Sequence, residues 1–197
     1  LVEDISARPG REGSTLVNLG QSGWDSTAMV EGQDGTPSPL AQGVDAARTA
    51  APGAVLATVL IGSNDLWYVY QYGEQDPTPS ADEDALVATY RTNLERAVRE
   101  MQAAGAVVVL GLPDDQSLRP ISVDVARLNE QLSDVTQEEV GKMSALSKRL
   151  GEVVEEVADA NDLRTVDTND PLWADPARMA DDGIHPNAAG YAQMATA

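Results

Sequence analysis

Two apolar runs, Val55–Ile61 and Ala106–Leu112, constrain this chain more than any other feature. Each is continuous rather than alternating. The first stops at Gly62-Ser63-Asn64-Asp65 and the second at Pro113. A strand with one wet face would alternate, so continuous runs of this length belong to strands covered on both faces. Between them, Asp82–Ala104 reads as a helix with Leu86, Tyr90, Leu94, Ala97, Val98 and Met101 on one face, and Gly105 is placed to end it. Strand, helix, strand in that order predicts a parallel sheet with helices packed on it, an α/β fold.

The other segments extend this alternation. Ser14–Leu19 is expected as the first strand, ending in the turn Gly20-Gln21-Ser22-Gly23, and Leu163–Val166 as a short last strand. Glu31–Pro39 and Trp67–Ser80 read as loops. Ser122–Asn161 reads as helix, broken near Gly141 or Gly151, with Leu128, Leu132, Met143, Leu146, Leu150, Val153 and Val157 in the core. Val2–Ala7 looks like the end of a helix, followed by the loop Arg8–Gly13, and Pro186–Ala197 begins a final helix. No repeat interrupts the 197 residues, which suffice for one domain, 1–197, with its own core.

Charge narrows the partners. With 32 acidic against 13 basic residues the net charge is −19. Such a surface repels phosphate backbones and anionic membranes, so no nucleic-acid partner is expected. No apolar run reaches bilayer length, so no membrane span is expected and the protein is read as soluble. No basic segment followed by an apolar stretch opens the chain, so no signal peptide is read in it; secretion is a guess only. Without cysteine there is no disulfide, thiol nucleophile or thiolate metal site. Asp25, Glu31 and Asp34 lack the spacing of a calcium loop, and no metal is expected.

Three strand-end motifs carry chemistry. Asp181-Asp182-Gly183-Ile184-His185-Pro186 holds the only histidine. Proline favours the first helical position and extends the residue before it, which makes His185 the expected N-cap with its ring turned outward. Asp182, three residues earlier, can reach the Nδ1–H of His185, fixing the tautomer and leaving Nε2 as a base. The plainer reading is a surface histidine capping a helix. Gly20 lies at a strand end, the edge where α/β sheets bind ligands, and its N–H can donate to an oxyanion; a simple βα turn is the alternative. Asn64 can donate through its side-chain amide, or form an Asx turn. Trp67, Tyr68 and Tyr70 follow it and either line a substrate pocket or pack a long loop.

In chain order these motifs resemble the blocks of the SGNH (GDSL-type) hydrolases, an esterase and lipase superfamily. Asn18-Leu19-Gly20 matches the second block, Gly62-Ser63-Asn64-Asp65 the third and Asp182-Gly183-Ile184-His185 the fifth. The resemblance implies a flavodoxin-like three-layer α/β/α fold with a parallel sheet. It also implies hydrolysis of a small-molecule ester through an acyl-enzyme, as a carboxylesterase or lipase, without a cofactor. His185 and Asp182 would be catalytic, and Gly20 and Asn64 would form the oxyanion hole.

The family's first block, Gly-Asp-Ser, carries the nucleophile and has no counterpart in Leu1–Thr15. The expectation is therefore a domain truncated at its N-terminus, with the first strand and the serine absent. Ser22 and Ser26 follow Gly20 but stand in no Gly-x-Ser-x-Gly elbow, and are read as turn residues. The chain as it stands is expected to be nearly inactive. The alternative is a non-catalytic SGNH-fold protein that binds a ligand or self-associates through a vacant strand slot.

Overall fold

The computed structural model describes residues 13–50, 55–73, 77–168 and 171–194. Its centre is a parallel sheet of β1 (Leu56–Val59), β2 (Val107–Leu112) and β3 (Arg164–Asp167), in that spatial order. Leu56 is paired with Val107, and Val109 with Arg164. The helices are α1 (Ser26–Glu31), α2 (Pro39–Thr49), α3 (Ser63–Gln71), α4 (Ser80–Ala103), α5 (Pro120–Val123), α6 (Val125–Gln131), α7 (Gln137–Ala160) and α8 (Ala188–Met194).

The two 24-residue helices α4 and α7 pack on each other and on β2. Tyr90, Leu94 and Val98 of α4 recur at helical spacing, as do Leu146, Leu150 and Val154 of α7, and all meet Val108 and Leu110 of β2 in one core. The register puts Leu56, Val107 and Val166 together on the opposite face, where they are exposed. Gly111 lets Leu60 lie against that face, because a Cβ there would stand 2.9 Å from the Leu60 side chain.

Several expectations need correction. Ser14–Leu19 joins no strand among the described residues, and Leu16 and Val17 are exposed. A strand needs a neighbour for its N–H and C=O groups, and without one the backbone turns to water. Trp67–Ser80 is not loop throughout, because α3 runs to Gln71; Leu66, Trp67 and Tyr70 fall on one helical face and are buried. The break in Ser122–Asn161 lies at neither Gly141 nor Gly151, both inside α7, but between Gln131 and Gln137. Thr136 and Glu139 form a reciprocal capping box there, which starts a new helix. The short helix α1 and the helix α2, capped by Ser38 and opened by Pro39, are additional. The expectations for Val2–Ala7 and most of Arg8–Gly13 lie outside the described residues.

Candidate active site

The turn holding His185 is built around Asp182. One of its carboxylate oxygens accepts the N–H groups of Ile184 at 2.8 Å and His185 at 2.9 Å, and the other faces His185 Nδ1 at 2.8 Å. Gly183 sits at φ +70°, and a Cβ there would meet Ile121 N at 3.0 Å, so glycine suits both the turn and its seat. Burial works to raise the Asp182 carboxyl, but bonds from the His185 backbone and ring and the Ile184 N–H outweigh it and lower it below the ordinary value. The His185 side chain is 61% exposed, with Nε2 unpartnered among the described residues. An Nδ1–H donating to Asp182 leaves Nε2 with its lone pair, the state of a general base.

His185 is not the N-cap of the last helix. That cap is Asn187, whose Oδ1 accepts from Ala189 N and Gly190 N. Its Nδ2 donates to the carbonyls of Ala177 and Met179. Pro186 instead pairs with Met179 in an isolated bridge. The helix starts at Ala188, so the residue before it takes the cap, and asparagine is a strong capping residue. The motif Asn187-Ala188-Ala189-Gly190 carried that signal in the sequence.

The second half of the site follows β1. Gly62 turns the chain at φ +122° into α3 with no side-chain cap. This sets Asn64 on the first turn, where its Nδ2 donates to Trp24 O at 2.8 Å. An asparagine amide has two N–H groups, so this bond orients the amide and leaves the other hydrogen for a ligand. Tyr68 OH reaches Gly23 O at 2.6 Å, and Asp65 holds Ser26, so α3 clamps the loop after Gly20. The N–H of Gly20 donates to Asn18 Oδ1 at 3.1 Å. An oxyanion at Gly20 would therefore displace that side chain.

The other candidates separate. Ser26 is fully buried, bonded to Asp65 and Asn93, and in no position to attack a substrate. Ser22 is exposed. Trp67 and Tyr70 are core residues rather than pocket lining, because their polar atoms bond to Gln116 and Glu83 and their rings are buried. Tyr68 is half-buried, with its hydroxyl on Gly23 O.

Sequence reasoning passed over the end of β2. Buried Asp114 pairs with buried Arg119 through Nε at 3.0 Å and Nη2 at 2.9 Å. Burial pushes the Asp114 carboxyl up and the Arg119 guanidinium down, and the ion pair opposes both shifts. Gln116 donates to Asp114 at 2.7 Å and to Ser63 Oγ at 3.2 Å, and accepts from Trp67 Nε1 at 3.0 Å. Arg119 Nη1 donates to Ile184 O at 2.6 Å. This chain of bonds runs from the residue before Asn64 to the residue before His185. Its one signal was position: Asp114-Asp115-Gln116 follows the second apolar run as Gly62-Ser63-Asn64-Asp65 follows the first.

The chain matches the GDSL-like Lipase/Acylhydrolase family over residues 2–193. No curated protein sequence matches it. Among solved structures it is similar to an acetyl xylan esterase from Geobacillus stearothermophilus (Axe2-W215I), with TM-score 0.53 and 20% identity over 88% of this chain. It is also similar to an extracellular lipase from Streptomyces rimosus, with TM-score 0.52 and 14% identity over 89% of this chain. It spans 66% of the first and 76% of the second. Both likenesses support the α/β fold. Among the described residues, no helix is long and apolar enough to cross a membrane.

Proposed function

Because the chain belongs to the GDSL-like lipase/acylhydrolase family, we propose that it hydrolyses the ester bonds of small molecules through an acyl-enzyme. The observation that carries this reading is the Asp182–His185 pair, with its 2.8 Å contact at Nδ1 and an exposed ring. Nε2 of His185 takes the hydroxyl proton of a serine as its oxygen attacks the ester carbonyl. The same nitrogen then returns that proton to the departing alcohol, and water releases the acid by the reverse route. Asp182 orients the ring and stabilises the imidazolium. The free N–H of Asn64 and the N–H of Gly20 receive the oxyanion. Tyr68, half-buried beside Gly23, is the aromatic side chain left to meet the substrate.

The nucleophile in this reading is a serine of the Gly-Asp-Ser type, which the described residues do not contain. The test is fluorophosphonate labelling of the protein expressed from its gene, with the adduct mapped by mass spectrometry. The expected adduct lies on neither Ser22 nor Ser26 and is lost in His185→Ala. A protein that takes no label and cleaves no p-nitrophenyl ester overturns the reading.

A second reading, self-association, is favoured by the outer edge of β1, which pairs with no strand among the described residues, and by exposed Leu16, Val17, Leu56 and Leu60. Light scattering distinguishes it: a concentration-independent monomer rules it out.

A further inference from the structure

We propose that Arg119 is a positioning residue that sets the turn carrying Asp182 and His185 against the turn carrying Asn64. This inference rests on reading His185 as the base.

The geometry supports it from both sides of the guanidinium. Nε and Nη2 grip Asp114, and the Trp173 ring lies 4.4 Å beneath the guanidinium carbon. The plane of the side chain is thereby fixed before Nη1 reaches Ile184 O. Ile184 is the residue whose N–H Asp182 accepts, so Arg119 and Asp182 hold the Ile184 backbone from its two polar groups. The same segment holds the turn again, since Ile121 N donates to Gly183 O at 3.2 Å. On the other side, Asp114 accepts from Gln116, which donates in turn to Ser63 beside Asn64. Asn64 and His185 thus stand on turns bonded to one buried unit.

Energetics argue in the same direction. A buried ion pair is weak evidence for stability, because apolar residues of similar volume often do as well. What apolar residues cannot supply is a directed donor for the Ile184 carbonyl. Lysine would keep the charge but lose the planar fork that spans Asp114 and Ile184 together.

The lone histidine makes the test direct. Nitrogen-15 chemical shifts of the neutral imidazole report its tautomer without resonance assignment among several rings. In the wild type the Nδ1–H form should dominate, held by Asp182. In Arg119→Lys the turn loosens, and the Nε2–H form should replace it, as it should in the positive control Asp182→Asn. Circular dichroism verifies that each variant is folded. A folded Arg119→Lys that keeps the wild-type tautomer overturns the proposal. Should Arg119→Lys fail to fold, Gln116→Glu supplies the second arm. It sets a carboxylate against Asp114 and Ser63, and it should shift the tautomer or the amide resonance of Ile184; a folded Gln116→Glu in which both stay at their wild-type positions overturns the proposal. Fluorophosphonate labelling of His185→Ala reports separately on the hydrolase reading, since the tautomer needs no substrate and no nucleophile.

Discussion

Ser26 and Asp65, 39 residues apart in sequence, meet through two hydrogen bonds: Ser26 Oγ to Oδ1 at 2.5 Å and Ser26 N to Oδ2 at 2.9 Å. Asp65 directly follows Asn64, and Ser26 opens the helix after the Gly20 loop, so the pair fastens two parts of the proposed oxyanion site. Asp65 is 4% exposed.

Burial raises the Asp65 carboxyl from 3.8 to about 6, against the lowering effect of both Ser26 bonds. An acid with a raised folded value binds more protons folded than unfolded. Its contribution to stability is therefore greatest at low pH and declines as pH rises from about 4 to about 6. A shift of this size corresponds to roughly 3 kcal/mol. Urea unfolding of wild type and Asp65→Asn across pH 4–7 should show a wild-type decline that the variant lacks. Parallel curves would contradict it.

Asn187 caps α8 and also bonds two carbonyls of the preceding segment. Asn187→Ala should lower stability by about 2 kcal/mol, since a lost cap alone costs about 1. The urea midpoint reads it. A change within error would mean that the cap is replaced by water.

Gly183→Ala places a Cβ at φ +70° and 3.0 Å from Ile121 N. The strained backbone alone should cost about 1 kcal/mol or more. Gly141→Ala, in α7 with open space around it, should instead be neutral or mildly stabilising, because it removes a helical glycine. Thermal melts of the two variants should move in opposite directions or differ clearly in size.

In the protein expressed from its gene, Asn64→Ala should reduce kcat for ester hydrolysis about 100- to 1,000-fold with a smaller effect on KM, the pattern of a donor acting on the transition state. An equal change in KM with kcat retained would make Asn64 a substrate-binding or purely structural residue, in keeping with its bond to Trp24 O.

The strands of the sheet and the two long helices were legible because burial imposes a pattern on the residues themselves. Continuous apolar runs located β1 and β2, although the face carrying Leu56 and Val107 is exposed among the described residues rather than covered, and apolar residues three and four apart marked one face of each long helix. The Asp182–His185 contact was legible too, because a three-residue turn brings the two side chains together without help from distant chain. The aromatic segment after Asn64 misled because Leu66, Trp67 and Tyr70 support both a loop pocket and a helical face. The neighbouring α4 and α7 decide that choice. Ser14–Leu19 has the composition of a strand, but a strand exists only where another strand lies beside it.

The local composition of the candidate site was thus determined by the sequence alone: which turns carry the histidine, a carboxylate and a side-chain amide. The relation between those turns was not. Asp65 to Ser26, Gln116 to Ser63 and Arg119 to Ile184 join residues 39, 53 and 65 positions apart. No periodicity records such partners, since they are chosen by which loops the sheet brings to one edge. Only the tertiary structure settled that Ser26 is a buried tether, that Asn187 rather than His185 caps the last helix, and that Arg119 joins Asp114 to the Ile184 carbonyl.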